Sequence, residues 1–322
     1  MFESPAPRRQ PSPSPDGPVF EPSAPWREPS PSPAPPIVQP VELRPLLPDD
    51  AAAAHGVAMA AFEDLARRRN EPPHPAPDPA IAHMRIRHLA TTDPGGAWAA
   101  MDDGELVGAA LGLRREGLWG LSLLVVHPRA QSRGAGRALL ERALAYGNGA
   151  RGHIILASDD HRALRAYARA GLTFHPTARA EGVPRNAATP AGVRPLEPAD
   201  RAMTDAVGRH VRGAPHGDEL DVMRAAGSEV LVVPDGGYAA HQDGQLQVLA
   251  AFGDAAARTL LRAVLARTPA GRAAAVSWLT AAQAWAVDVA LDAGLQLRLE
   301  GGLFLRGDTG AFTPYLPNGA YL

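Results

Sequence analysis

Apolar and polar positions settle into a regular pattern at residue 41 of the 322-residue chain. The stretch "VELR" (41–44) reads as a short strand. A Pro-Asp-Asp turn then opens a helical run from about 50 to 69, with Asp49 or Asp50 placed to cap it. "NEPPHPAPDPA" is a proline-rich loop, and 81–89 reads as a second helix. Three strands are predicted at 97–101, 106–114 and 118–127, and the breaks "DDGE" and "REG" between them carry hairpin chemistry. A helix over about 136–146, a buried strand "HIILAS" and a helix "DHRALRAYARAG" follow, the last ended by Gly171 in a C-cap position.

The pattern then starts again. "LRPLLPDD" (43–50) reappears as "VRPLEPAD" (193–200), and "ARAGLTF" (168–174) is echoed by "LDAGLQL" (291–297). Between these anchors the second copy is roughly thirty residues shorter, and so long a period implies duplicated domains rather than a solenoid. The predicted units are 41–176 and 193–322, joined by a linker over 177–192. Ahead of them, residues 1–40 hold fourteen prolines and few groups that could pack, which predicts a disordered, partly polyproline-II tail.

Composition narrows the function classes. A formal net charge of -2 gives no reason to expect a nucleic acid or an anionic membrane as partner. There is no cysteine, which removes disulfides and thiolate metal sites; all 32 basic residues are arginine. The eleven histidines are scattered without an HExxH spacing, so no metal is expected. No apolar run approaches the roughly 18 residues a bilayer span needs, and the N-terminus lacks a secretory apolar core. A soluble, cytoplasmic protein is expected.

The stretch that carries chemistry is "VVHPRAQSRGAGRALL" (125–140). A strand ends at a proline, and an arginine- and glycine-bearing loop leads into a helix. A helix N-terminus presents unsatisfied N–H groups and about half a positive charge, which suits a phosphate. Gly134 and Gly136 let the backbone curl and let a bulky anion approach. Arg133 and Arg137 add positive charge, with no carboxylate between them. By itself the loop reads equally as an anion cradle or as a plain strand-to-helix turn.

The order Gln131-x-x-Gly134-x-Gly136 after "VVHP" resembles the Q/R-x-x-G-x-G/A signature of the GCN5-related N-acetyltransferase (GNAT) superfamily. "DHRALRAYARAGLTF" is similar to that superfamily's N-x-x-A-x-x-x-Y-x-x-x-G-[FL] segment. Ala163, Tyr167, Gly171 and Leu172 fall in place, and Asp160 stands where asparagine is usual. The resemblance covers about 41–176, and the second unit resembles the same fold more weakly. It implies an α/β (α+β) protein of two tandem folds, each a mixed, mostly antiparallel sheet flanked by helices.

The resemblance further implies an acyl-CoA donor, acetyl-CoA above all, as cosubstrate. Loop amides of Ser132, Arg133, Gly134, Ala135, Gly136 and Arg137, with Gln131 and Asp160 beside them, would serve its pyrophosphate. Backbone groups of Leu124, Val125 and Val126 would pair with the pantetheine arm where the fourth strand splays. The amide near Val126 would polarise the thioester carbonyl, and Tyr167 would act as general acid. The residues single out no general base. The fourth strand, "LWGLSLLVVHP", lacks the glutamate many members carry, which leaves His127, Asp159, Asp160, His161, Glu63, Asp64 or a water chain.

In the second unit "FGDAAAR" (252–258) aligns with "QSRGAGR" (131–137), and Ala290 takes the place of Tyr167. One active site is therefore expected, in the first unit, beside a degenerate copy. The acceptor expected is a primary amine of a small molecule; the rival reading is an acyl-CoA-binding regulatory module without turnover. A chain with two copies can satisfy internally the contact relatives make by dimerising, so a monomer is expected ahead of a homodimer. The apolar end, "TPYLPNGAYL", is expected to dock across the junction.

Overall fold

A computed structural model describes residues 41–72, 78–185 and 189–322. The expected proline-rich tail and the middle of the proline-rich loop lie outside the described residues. In the first half, β1 (Glu42–Pro45) leads into α1 (Ala51–Arg68) and α2 (Pro79–Thr92). Strands β2 (Ala97–Asp102), β3 (Glu105–Arg115) and β4 (Leu118–Val126) follow. Then come α3 (Ala135–Tyr146), β5 (Gly152–Ala157), α4 (His161–Arg169) and β6 (Thr173–Gly182).

The second half runs through the same order. It comprises β7 (Arg194–Pro195), α5 (Arg201–Arg212), α6 (Glu219–Ala225), β8 (Glu229–Val233) and β9 (Gly237–Gln242). After these come β10 (Gln245–Ala251), α7 (Asp254–Leu265), β11 (Ala274–Leu279), α8 (Ala284–Asp292) and β12 (Gln296–Gly307). A short extra strand, β13 (Tyr315–Leu316), comes last.

Local chemistry repeats with the elements. Arg44 forks onto Asp50 at 2.7 and 2.9 Å, and Arg194 forks onto Asp200 at 2.7 and 2.8 Å. The same aspartates accept from the N–H of Leu47 and of Glu197, each at 2.8 Å, which fixes the turn into α1 and α5 alike. Asp103-Gly104 and Asp243-Gly244 both carry positive φ at each residue, the geometry a two-residue hairpin requires. Helix α2 starts two residues before the predicted position because the Asp78 carboxylate accepts from Ala80 N–H at 2.8 Å and Pro79 suits the first turn.

The strands form one sheet in the order β1-β2-β3-β4-β5-β12-β6-β11-β10-β9-β8-β7, with β13 on β10. The centre holds an exchange. Strand β12 of the second half lies between β5 and β6, and β6 of the first half lies between β12 and β11. Each half thus completes its sheet with the other half's last strand, and the two sheets become continuous. The predicted linker needs correcting at its start: residues up to Gly182 are strand, paired on both sides. Composition could not reveal this, since β6 gains its partners from residues more than ninety positions away.

Sheet and helices bury a core that both halves share, joining Leu46, Ile86 and Leu89 to Val207, Val211 and Tyr238. Trp119 is buried in a separate cluster with Leu139 and Tyr167, and Trp285 in the second half's own core. Among the described residues, no helix is long and apolar enough to cross a membrane.

Candidate active site

Strands β4 and β5 run parallel from Leu118 opposite Gly152 to Leu121 opposite Ile155, and there they part. The register of β4 on β3 shifts at the same place, from Gly112 opposite Leu121 to Leu111 opposite Leu123, leaving Ser122 as an extra residue. The sequence places the splay at 124–126; its origin is the bulge at Ser122, which no residue type announces. Ser122 Oγ is buried there without a hydrogen-bond partner. Beyond the bulge β4 remains bonded to β3, and His127 N–H donates to the Val107 carbonyl at 2.8 Å. Backbone groups alternate sides along a strand, so the N–H and carbonyl of Val126 face the gap.

The chain then makes a tight turn whose start is capped by His127, its ring accepting from Arg129 N–H at 3.3 Å. That engagement uses the histidine structurally. Ser132 and Gly134 follow with φ of +64° and +87°, left-handed values that glycine adopts without strain. Gly134 is the N-cap of α3 and has no side chain with which to cap, so the first-turn amides remain unclaimed by the helix. A Cβ built on Gly136 would meet only Val126 Cγ2, at 3.5 Å. The fold itself could accept a side chain there.

Gln131 and Arg162 fix this loop to its neighbours. Gln131 Nε2 donates to the Val126 carbonyl at 3.0 Å, and its Oε1 accepts from Arg162 at 2.6 Å. Arg162 also donates to Asp160, at 2.5 to 3.2 Å, while Asp160 caps α4 through Arg162 N–H at 2.9 Å. Burial works to raise the Asp160 pKa, but the Arg162 hydrogen bonds outweigh it and hold the carboxylate below its ordinary range. Sequence reasoning overlooked Arg162, although its place two residues past a helix-capping aspartate was visible.

The expected charge at the loop needs correction. Arg133 forks onto Asp102 at 2.6 and 3.1 Å, and Arg137 donates to Glu141 at 2.8 Å. The first carboxylate comes from the end of β2, which sheet pairing brings close; the second sits one helical turn along α3. The positive character of the cradle therefore comes chiefly from backbone amides and the helix end.

A cavity of about 720 Å³ opens along the splay. Leu124, Val125, Val126, Gln131, Ser132, Gly134, Gly136, Arg137, Asp160 and Tyr167 line it; Arg133 and Ala135 do not. Tyr167 is 5 % exposed, packs edge-on against Phe304 at 5.4 Å, and has its pKa raised by burial and then by the Asp160 charge. It stays protonated through neutral pH. The second half adds Trp278, Leu299 and Glu300 to the wall, which only the strand exchange could reveal. Of the carboxylates weighed as bases, Asp159 pairs with Arg69 at 2.6 Å and Asp64 with Arg68 at 2.8 Å.

Residues 59–172 match the family model of the acetyltransferase (GNAT) family. The chain carries a GNAT acetyltransferase domain. Its fold extends over nearly the whole described chain. A putative acetyltransferase from Pyrococcus horikoshii superposes with a TM-score of 0.72 at 17% identity, over 88% of this chain and 95% of that one. A GCN5-related N-acetyltransferase from Sphaerobacter thermophilus gives 0.53 at 19% identity, over 84% and 96%. A tandem GNAT protein of the clavulanic acid biosynthesis pathway gives 0.50 at 15% identity, over 83% and 98%. No curated protein matches the sequence.

Beside the GNAT groove, the corresponding place in the second half is different. Only Phe252 and Gly253 separate β10 from α7, so the loop is missing, not merely altered in sequence. Strands β10 and β11 pair at Gln245 opposite Ala275, and then β13 takes the free edge of β10. Leu249 faces Leu316, Ala250 faces Tyr315, and Ala251 N–H donates to the Pro314 carbonyl at 3.1 Å.

Proposed function

We propose that the protein transfers an acetyl group from acetyl-CoA to a primary amine of a small molecule, at one site in its first half. The observation that carries this reading is the unclaimed N-terminus of α3, set where β4 leaves β5 and opening onto a groove that contains Tyr167. The residues present fit the donor: a pyrophosphate-sized anion finds helix amides, a left-handed glycine and no obstructing Cβ.

Acetyl-CoA supplies the activated acyl group as a thioester. Amides from Ser132 to Arg137 hold its diphosphate, and the exposed edge at Leu124 to Val126 pairs with its pantetheine arm. Gln131 occupies the Val126 carbonyl, which leaves the Val126 N–H to face the thioester oxygen. Tyr167, kept protonated by burial, delivers its proton to the departing sulfur. No side chain is assigned as base; water leading from the groove to bulk solvent removes the amine proton. The second half is a degenerate copy that contributes wall and core.

The test is free-thiol release from acetyl-CoA across a panel of amines. Amine-dependent release that Tyr167→Phe lowers would support the reading. Tight CoA binding without release for any amine would replace it with a regulatory module.

A further inference from the structure

The acyl-donor groove meets a second cavity, of about 550 Å³, that lies between α1, α2, α6 and residues 318–321. Phe62, Arg85 and Gly319 line both. Five arginines line the groove: Arg69, Arg85, Arg137, Arg162 and Arg298. Arg69 is paired with Glu71 and Asp159, Arg137 with Glu141, Arg162 with Asp160 and Arg298 with Glu181. Arg85 has no hydrogen bond or ion pair with any described residue, and its Nε is fully buried.

An uncompensated guanidinium in a confined space is costly, and the cost is relieved by an anion. No described residue of the second cavity supplies one. Glu63, its single lining carboxylate, is exposed and out of ion-pair range of Arg85. His55, another lining group, is held towards its neutral form by burial and by the charges of His83 and Arg85. Met59, Ile81, Val222 and Met223 make much of the remaining wall apolar.

We infer that Arg85 is the counter-charge for an acidic acceptor: the amine that receives the acyl group also carries a carboxylate, with an apolar portion among Met59, Ile81, Val222 and Met223. A guanidinium fork matches a carboxylate in two-point geometry. The inference rests on the acyl-transfer reading, and its test separates the two.

Product-like N-acetyl acids need no turnover. N-acetyl-leucine, N-acetyl-β-alanine and N-acetyl-6-aminohexanoate, each beside its carboxamide, are titrated calorimetrically into the full chain saturated with CoA. At least one acid should bind about 10- to 100-fold more tightly than its amide. Arg85→Gln should abolish that preference, and Arg85→Lys should keep only part of it. No preference at any spacing, or one that survives Arg85→Gln, overturns the inference. Should Arg85→Gln fail to fold, an undiminished preference in Arg85→Lys overturns it instead. Thiol release with the matching free amines supplies the second arm. Arg85-dependent binding without release would sink the catalytic reading and leave the pocket standing. Release as fast with the carboxamides as with the acids would do the reverse.

Discussion

The two halves share one order of elements, and they differ most at a single place. In the first, β4 parts from β5 at a bulge and leaves a backbone edge open beside an uncapped helix. In the second, β13 covers the equivalent edge of β10, and the chain enters α7 directly. A parted pair of parallel strands leaves backbone groups in need of partners. One half leaves them open to the groove; the other satisfies them with its own chain. The segment that does this is firmly fixed. The buried Arg212 donates to the backbone oxygens of Tyr321 at 3.2 Å and Leu322 at 2.7 Å, and His216 contacts Tyr238 at 2.6 Å and Tyr315 at 3.1 Å.

The contrast can be tested from the filled side first. Tyr315→Ala should cost about 3–5 kcal/mol of stability, read as a shifted urea midpoint, because it empties a fully buried site. CoA should still bind at one site per chain, since opening the slot does not create a loop; a stoichiometry of two would break the comparison. On the open side, Tyr167→Phe should lower thiol release by about 10²- to 10⁴-fold while CoA affinity stays nearly constant. An unchanged rate would return Tyr167 to a packing role.

Next in size is Gly136→Asp, expected to weaken CoA binding by about 10- to 100-fold through charge and bulk at the helix end. Its melting temperature should stay close to that of the wild type, since the added Cβ meets only Val126. Ala255→Asp, at the start of α7, should leave CoA affinity untouched. The smallest effect concerns pH. Burial, and then the Arg212 charge, hold His216 well below the ordinary histidine pKa. The unfolded chain therefore binds the proton first. Stability from this group is complete above the ordinary value of about 6.5 and declines as pH falls below it, by up to about 1.4 kcal/mol per unit. Urea midpoints between pH 7 and 5 should show a shallower decline in His216→Gln.

Much of the first half was legible because its signals are local. Hairpin dipeptides set left-handed turns at Asp103-Gly104, and apolar spacing marked α1 and α3 to within a residue or two. The Gln131-to-Gly136 pattern located the loop, and Tyr167 and Gly136 line one cavity. Missed were Ser122, Arg162 and the unpaired Arg85. A bulge is a property of register, and register is fixed by two strands together. The pairing of Arg133 with Asp102 was hidden for the same reason, being a contact across the sheet.

The chain by itself determined that an order of elements is repeated and where its loop of glycines lies, because repeats, turns and helix ends are written in adjacent residues. Only the tertiary structure decided that β6 and β12 change places, that β13 closes the second slot, and that Arg85, on the wall of both cavities, has no carboxylate partner among the described residues. Those outcomes depend on which distant strands pair and which charges meet, and free energy of that kind exists only once the whole sheet has formed.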